Sequence, residues 1–190
     1  DGYMGLKDLG GRLHEAMEAV GFHLRAKIAI EKDAQAVAAR MNLHSIQFKT
    51  LRSDTGACFP IRNDYLYVFQ KEGERPPITS FERGEITEEQ WIEWARGTWR
   101  GPETDVLQTR GTGAPDDTKH VCPLQLWAIE RCVILWSNPG DRVYDPFGGV
   151  GSTGVVCALR GRCYVATELK PEYHLTACRN VMDEDRAQKC

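Results

Sequence analysis

Residues 142–168 follow the order strand, glycine-rich turn, helix, strand, and this segment constrains the fold more than any other part of the chain. Residues 142–145 are predicted as a short strand and residues 153–160 as a helix, whose first turn directs its unpaired backbone N–H groups at the turn between them. Glycines in that turn would let a ligand approach the backbone more closely than any side chain allows. The pattern therefore predicts a parallel α/β unit with a nucleotide-binding turn.

The second strand of this unit, residues 163–168, is predicted to be buried and parallel to the first, with Glu168 at its carboxyl end. A carboxylate at that place can accept hydrogen bonds from both hydroxyls of a ribose. The spacing Gly149-x-Gly151-x-x-Gly154 fits the dinucleotide pattern. The phosphate loop of ATPases is excluded, because two valines follow the last glycine in place of Lys and Ser or Thr.

The position of the turn predicts a sheet of permuted order. Only 36 residues follow Gly154, which is enough for one more strand and one more helix. A doubly wound sheet of about six strands needs more than that. We therefore expect its other strands to precede the turn in the chain.

Motifs in residues 119–181 resemble those of the DNA methyltransferases that modify exocyclic amino groups. Residues 145–153, Asp-Pro-Phe-Gly-Gly-Val-Gly-Ser-Thr, look like the S-adenosylmethionine loop of that family, and Glu168 matches its ribose-binding acid. Residues 119–125, Lys-His-Val-Cys-Pro-Leu-Gln, look like the segment that closes over the methionine end of the cofactor. The sequence around Glu168 resembles that of the phage and prophage enzymes of this family. The position of the cofactor motif is similar to that in the subgroup whose cofactor motif lies at the C-terminus.

The resemblance implies an α/β fold, a Rossmann-like methyltransferase sheet with helices on both faces, in permuted order and incomplete at the N-terminus. It implies S-adenosylmethionine as the cofactor and double-stranded DNA as a partner, with adenine N6 as the expected target and cytosine N4 as the alternative. The cofactor-binding residues that it implies are Lys119, His120, Pro123, Asp145, Pro146, Phe147, Gly148, Gly149, Gly151, Ser152, Thr153, Glu168, Leu169 and Lys170.

The catalytic motif of the resembling enzymes is absent from this sequence. Those enzymes hold the target amino group with Asp, Asn or Ser followed by Pro-Pro and an aromatic residue, whereas Pro76-Pro77 lies here between Arg75 and Ile78. Glu31 stands where the family usually has an aromatic residue. The absence of that aromatic ring removes base stacking worth about 1 to 3 kcal/mol. We therefore expect no catalytic residue in this chain, which we interpret as the C-terminal portion of an enzyme.

Charge is distributed unevenly along the chain. The net charge of −3 gives no nucleic-acid signature. Residues 40–62 nevertheless carry four basic side chains against the single acid Asp54, while residues 72–93 carry seven acids against two bases. A solvated loop would also explain the basic stretch. With the resemblance, we expect the DNA-facing residues to be Arg40, Lys49, Arg52 and Arg62.

Periodicity, caps and turn residues predict the other elements. They are a helix over 8–20 ended by Gly21, a strand over 22–30 paired with one over 64–70, a helix after the capping-box spacing of Thr87 and Gln90, and a helix from Pro123 to about residue 138. Trp91 and Trp94 are expected in the core. We expect one domain over 1–190, with mobile or DNA-facing loops over 31–63 and 97–118 and a cofactor-binding part over 119–181.

The spacing of the cysteines and the length of the apolar runs indicate the cellular compartment of the protein. The seven cysteines form no C-x-x-C pair, and His120-x-Cys122 has no second pair at metal spacing. We therefore expect reduced thiols and no metal. Since no apolar run approaches the length of about 18 residues needed to cross a membrane, we expect no membrane contact and a cytoplasmic protein.

Three interpretations of function remain open at this point. The first is a DNA methyltransferase, or the cofactor-binding part of one. The second is an inactive cofactor-binding fragment, which would act as a homodimer or with a chain that supplies the missing N-terminal half. The third is a nicotinamide-dependent oxidoreductase, which the permuted order and the Pro-Phe insertion before the glycines disfavour.

Overall fold

The computed structural model describes residues 8–34, 37, 48–57, 63–107 and 124–188. Its elements in chain order are α1 (Leu9–Ala19), β1 (Phe22–Ile30), α2 (Phe48–Ser53), β2 (Asp64–Lys71), α3 (Glu88–Trp94), β3 (Thr98–Trp99), α4 (Leu126–Trp136), β4 (Arg142–Asp145), α5 (Ser152–Leu159), β5 (Cys163–Ala166) and α6 (Pro171–Gln188). The chain divides into two compact units. Unit 1 comprises residues 1–76 and 95–100, and unit 2 comprises residues 77–94 and 101–190.

Unit 1 is built on β1, the middle strand of a three-stranded sheet in the order β2-β1-β3. The predicted pairing of β1 with β2 is confirmed as antiparallel, with Ile30 opposite Asp64. The short strand β3 runs parallel to β1 and places Trp99 opposite Ile30. Ile28, Ile30 and Trp99 are buried, so the carboxyl half of β1 supplies the apolar interior of this unit.

Local signals set the bounds of α1. The Asp8 carboxylate accepts a hydrogen bond from the backbone N–H of Gly11 at 2.8 Å and caps the helix. Gly21, at φ +84°, adopts the left-handed conformation that ends it. The predicted helix over 8–20 is therefore confirmed to within one residue at each end.

Two segments that we expected to be loops contain short regular elements. Within residues 31–63 the chain forms α2 and a 3₁₀ turn at Thr55–Ala57, and within residues 97–118 it forms β3. Six helical residues are too few to establish a helical period, and a two-residue strand depends on its pairing with β1. Residues 108–118 of the second segment lie outside the described residues.

Unit 2 contains the parallel strand pair β4 and β5, which the sequence predicted. Their register places Asp145 opposite Ala166. The expectation that the second strand is buried is wrong, because the residues of β5 are exposed or half-buried. Within the described residues β4 is the only strand paired with β5.

The core of unit 2 lies between α4, α5 and the strand pair. The apolar side chains that meet there are Ile129, Val133, Val156 and Cys157, with Leu126, Val143 and Tyr164 packed against them. Burial raises the pKa of Cys157 to about 11 and that of Cys132 to about 12. Both thiols therefore stay protonated at neutral pH.

The capping box before α3 is confirmed. The backbone N–H of Thr87 donates to Gln90 Oε1 at 2.9 Å, and the backbone N–H of Gln90 donates to Thr87 Oγ1 at 3.2 Å. The expectation that both tryptophans of α3 are core residues is wrong for Trp91, which is 60% exposed. Trp94 is half-buried, with the Arg131 guanidinium 5.4 Å from its ring centroid. Six of the seven residues of this helix, Trp91 among them, are exposed, and only Trp94 is half-buried.

A buried guanidinium connects three segments of unit 2. The side chain of Arg162 has no exposed surface and forms an ion pair with Glu85. It also donates to the carbonyl oxygen of Ser137 at 2.7 Å and to Ser137 Oγ at 3.1 Å. Burial alone would raise the pKa of Glu85, but the hydrogen bonds and positive charges of Arg162 and Arg83 outweigh it and hold that pKa below 4.5.

Replacing Arg162 by Met should destabilise the protein by about 3 to 5 kcal/mol at pH 7, because the carboxylate of Glu85 then loses its main partner in a desolvated place. A carboxyl with a lowered pKa stabilises the fold above the pKa of the unfolded chain, and the stabilisation is lost as the pH falls through the folded value. The difference between wild type and variant should therefore shrink below pH 4.5. Urea unfolding at several pH values measures it, and a difference independent of pH would contradict the ion pair.

Candidate functional site

Asp145, the last residue of β4, fixes the turn that follows it. Its Oδ1 accepts a hydrogen bond from the backbone N–H of Phe147 at 2.9 Å, and its Oδ2 accepts one from Thr153 Oγ1 at 2.7 Å. Its carbonyl oxygen accepts a third from the backbone N–H of Thr167 at 3.0 Å. One residue therefore ties the turn to the first turn of α5 and to the end of β5.

Glu168 closes the turn from the other side. Its Oε2 accepts a hydrogen bond from the backbone N–H of Gly149 at 2.8 Å, and its Oε1 accepts one from the backbone N–H of Lys170 at 2.9 Å. Each carboxylate oxygen has a second lone pair. The half-buried side chain can therefore accept further hydrogen bonds from a bound hydroxyl.

Two glycines of the turn are required by packing within the protein. A Cβ on Gly148 would lie 3.0 Å from the Cβ of Ala166 in β5, and a Cβ on Gly151 would lie 3.0 Å from the Cβ of Ala177 in α6. Gly151 also has φ +89° at the start of α5. These positions let the turn approach β5 and α6, and the predicted contact of these two glycines with a ligand stays a prediction.

Gly149 is the glycine that fits an approach by a ligand. Its φ is +53°, and the nearest atom to an added Cβ is the carbonyl oxygen of Phe147 at 3.8 Å. Two large apolar side chains flank this open part of the turn, since Phe147 is 87% exposed and Leu169 is 99% exposed. Apolar side chains beside a few convergent polar groups are typical of small-molecule sites.

A buried hydroxyl lies under the turn. Tyr164 Oη is inaccessible to solvent and has no hydrogen-bond partner within the described residues. A Cβ added to Gly148 would lie 3.2 Å from it. Burial, together with the negative charges of Asp145 and Glu168, raises the pKa of Tyr164 to about 12. The phenol is therefore neutral at neutral pH.

Two residues that hold the turn had not been predicted. Thr167 Oγ1 donates to the carbonyl oxygen of Pro146 at 2.8 Å, and Asn180 Nδ2 donates to the carbonyl oxygen of Val150 at 2.8 Å. Thr167 could have been found from its place beside Glu168. Asn180 carries no signal in the sequence, since its contact depends on the packing of α6.

The other predicted site residues are distributed as follows. Lys119, His120, Pro123, Arg40 and Arg62 lie outside the described residues. Ser152 is buried at the start of α5, and both Lys49 and Arg52 are exposed on α2. Glu31, which we predicted to stand in the place of an aromatic residue, accepts a hydrogen bond from Arg100 Nε at 2.6 Å.

Within the described ranges, no group of three or more His, Cys, Asp or Glu side chains could hold a metal ion. No helix in that part of the chain is long and apolar enough to cross a membrane.

Residues 4–179 match the family model for N6 and N4 methyltransferases, described as DNA methylase. The chain belongs to this DNA methylase family. Its relatives include the Type II methyltransferase M.BglI of Bacillus subtilis, which is 32% identical over 119 residues, covering 62% of this chain and 30% of the relative. The DNA adenine methyltransferase YhdJ of Escherichia coli K12 is 23% identical over 153 residues, covering 80% of this chain and 50% of YhdJ. The chain thus spans half or less of these relatives.

The fold of a DNA methylase is confirmed by solved structures. TTHA0409 of Thermus thermophilus, in complex with S-adenosyl-L-methionine, superposes with a TM-score of 0.66 at 22% identity, covering 93% of this chain and 60% of that one. The predicted class, an α/β Rossmann-like methyltransferase fold, is therefore correct, and the family is S-adenosylmethionine-dependent. The C-terminal-motif subgroup and the phage type remain predictions.

Replacing Gly154 by Ala should destabilise the protein by about 1 to 3 kcal/mol, although alanine favours an exposed helix by about 1 kcal/mol over glycine. The new Cβ would come within 2.6 Å of the Tyr164 ring and of Val181 Cγ2. Urea unfolding of the variant measures the change. A variant as stable as the wild type would show that α5 does not pack this closely.

Replacing Tyr164 by Phe should leave the stability of the ligand-free protein unchanged or raise it by up to about 1 to 3 kcal/mol, because it removes a buried hydroxyl without a partner. Thermal unfolding followed by circular dichroism measures the change. A clear loss of stability would mean that the hydroxyl has a partner, such as a buried water.

Proposed function

We propose that this chain is the S-adenosylmethionine-binding part of a DNA amino-methyltransferase whose target is adenine N6. The observation that carries the proposal is the turn after β4, where Glu168 and the open backbone at Gly149 converge. The chain spans 60% of the TTHA0409 chain that it matches, so the activity of the whole enzyme enters here as part of the proposal. Adenine is preferred over cytosine because the relative YhdJ is named as an adenine methyltransferase.

The residues at the turn suit the chemical groups of the cofactor. The remaining lone pairs of Glu168 would accept hydrogen bonds from the ribose hydroxyls. The backbone at Gly149 would lie against the amino-acid end, and the exposed side chains of Phe147 and Leu169 would cover apolar surface of the adenosine. Lys119, His120 and Pro123 would complete the site, as the family resemblance implies.

The bound cofactor supplies an electrophilic methyl group on a sulfonium sulfur. The contribution of this chain is to hold that group in place, and positioning of two reactants can supply about 7 to 11 kcal/mol of the barrier. The target base must be taken out of the duplex to reach it. Asp145 acts as a positioning residue, because it holds the turn through Phe147 and Thr153.

A second candidate function is cofactor binding without catalysis by this chain alone. The sequence has no Asp, Asn or Ser followed by Pro-Pro and an aromatic residue. Glu31 takes the place of an aromatic residue, and its carboxylate is paired with Arg100. A second chain would then hold the flipped base.

DNA contact would use the basic residues of the 40–62 segment. Lys49 and Arg52 are exposed on α2 and could contact phosphates without reading the base sequence. Such contacts weaken with salt, because each one releases counterions from the DNA.

Replacing Glu168 by Gln should weaken the binding of S-adenosylhomocysteine about tenfold or more, since a hydrogen bond to a charged group contributes about 1.5 to 3 kcal/mol. Calorimetric titration of wild type and variant measures the change. Glu172→Gln, an exposed carboxylate on α6, is the matched control and should bind as the wild type does.

The same titration with NAD separates the cofactor classes. Saturable binding of S-adenosylhomocysteine and none of NAD supports the methyltransferase site. Binding of NAD with equal or higher affinity would overturn it in favour of an oxidoreductase, and no binding of either ligand would show that the turn does not bind a cofactor in this chain alone.

A further inference from the structure

An exposed apolar groove lies on α3, in unit 2. It has a volume of about 450 Å³ and is lined by Phe81, Glu88, Trp91 and Ile92. Phe81 is 58% exposed, and Trp91 and Ile92 are each 60% exposed. We call it the α3 groove. Three large apolar side chains in one groove are more than the scattered exposure that ordinary surfaces show, and such groups commonly mark protein interaction sites.

The α3 groove is held in place by local hydrogen bonds. The capping box of Thr87 and Gln90 fixes the first turn of α3. On the other side, Arg83 forms an ion pair with Glu85 at 2.7 Å and donates to Asn138 Oδ1 at 2.8 Å. The groove is therefore formed before any partner arrives, which lowers the entropic cost of binding.

The rim of the α3 groove is acidic. Glu88 lines the groove, and Glu82 follows the lining residue Phe81 in the sequence. Both are exposed, and within the described residues neither has an ion-pair partner. The nearest base in sequence, Arg83, is already bound to Glu85. The groove would thus repel DNA, and it would repel an identical groove placed face to face. It fits a segment with apolar anchors flanked by positive charges.

Helix α2 has that composition. Phe48 and Leu51 are spaced i, i+3 on the helix, and both are more than half exposed. Lys49 and Arg52 have the same spacing and are also exposed. The two pairs therefore form adjacent apolar and basic stripes.

We propose that the α3 groove is the docking site for α2 of a second copy of this chain. Phe48 and Leu51 insert against Trp91 and Ile92, and Lys49 and Arg52 pair with the carboxylates of the rim. If each copy gives its α2 to the other, the dimer has two identical contacts related by a twofold axis. Lys49 and Arg52 cannot contact DNA phosphates and these carboxylates together, so the association is tested without DNA.

The test is a charge exchange between two variants of the whole chain. One variant carries Glu82→Lys and Glu88→Lys, and the other carries Lys49→Glu and Arg52→Glu. Glu89 is left unchanged, because its carboxylate accepts hydrogen bonds from its own backbone N–H and from the Thr87 hydroxyl, which lower its pKa. Sedimentation velocity over a range of concentrations measures the association constant.

The wild type should dimerise, and each variant alone should associate at least tenfold more weakly. An equimolar mixture of the two variants should recover dimers, because one contact of the mixed dimer is then wild type and the other has both charges reversed. The wild-type dimer should also weaken as salt is added, since exposed ion pairs are screened. A control with Glu74→Lys and Asp183→Lys, two exposed acids elsewhere, should dimerise as the wild type does.

Three results would overturn the proposal. They are a wild type that stays monomeric at every concentration, a mixture that associates no better than its components, and a control that dissociates as much as the charge variants. Trp91→Ala provides a check that leaves the charges unchanged. This substitution should weaken the dimer at high and low salt alike. The circular dichroism spectrum of the variant should match that of the wild type, which shows that the fold is kept.

Discussion

The carboxylate of Asp145 is the contact on which the candidate site depends. Strand β4 ends at this residue, and the chain must then reverse into α5 within six residues. Asp145 receives hydrogen bonds from the turn, from α5 and, through its carbonyl oxygen, from the residue after β5. Because its two carboxylate oxygens hold groups eight residues away or less in sequence, the site is largely local. The turn therefore has its shape before any cofactor binds.

Close packing is the second constraint, and it explains why most positions of the glycine pattern in the turn and the first residues of α5 are glycine. Gly148, Gly151 and Gly154 stand where a Cβ would meet β5, α6 or Tyr164 at 3.0 Å or less. The spacing of these glycines in the sequence is thus set mainly by the distance between α5 and its neighbours. Among the glycines at positions 148, 149, 151 and 154, only Gly149 has space around it. A glycine pattern of this kind identifies a fold with more certainty than it identifies the atoms of a ligand.

Predictions from the sequence succeeded where the signal is local. Asp8, Gly21, Thr87 and Gln90 act on backbone groups within four residues, and β1 and β2 have strand composition throughout their lengths. The predictions failed where the structure depends on packing between residues that are far apart in the sequence. Strand β3 exists because β1 lies beside it, β5 is exposed or half-buried although its composition is that of a buried strand, and Asn180 reaches Val150 only after α6 has packed. The exposure of Trp91 is a failure of the same kind, because a helical pattern does not predict which side of a short helix packs against the rest of the protein.

The two hydrogen bonds that Glu168 accepts link the order of the turn to ligand binding. A ribose bound at this carboxylate would donate hydrogen bonds to oxygen atoms that already accept one each from the backbone N–H groups of Gly149 and Lys170. Since a carboxylate has about four lone-pair sites, both sets of bonds can coexist. A neutral amide has one acceptor oxygen with two lone pairs, so it can accept at most two of these hydrogen bonds, and its NH2 group cannot accept the others. In the proposed site the charge at position 168 would therefore serve twice, once to shape the turn and once to bind the ribose, so that a change there would reach the ligand even where the fold survives.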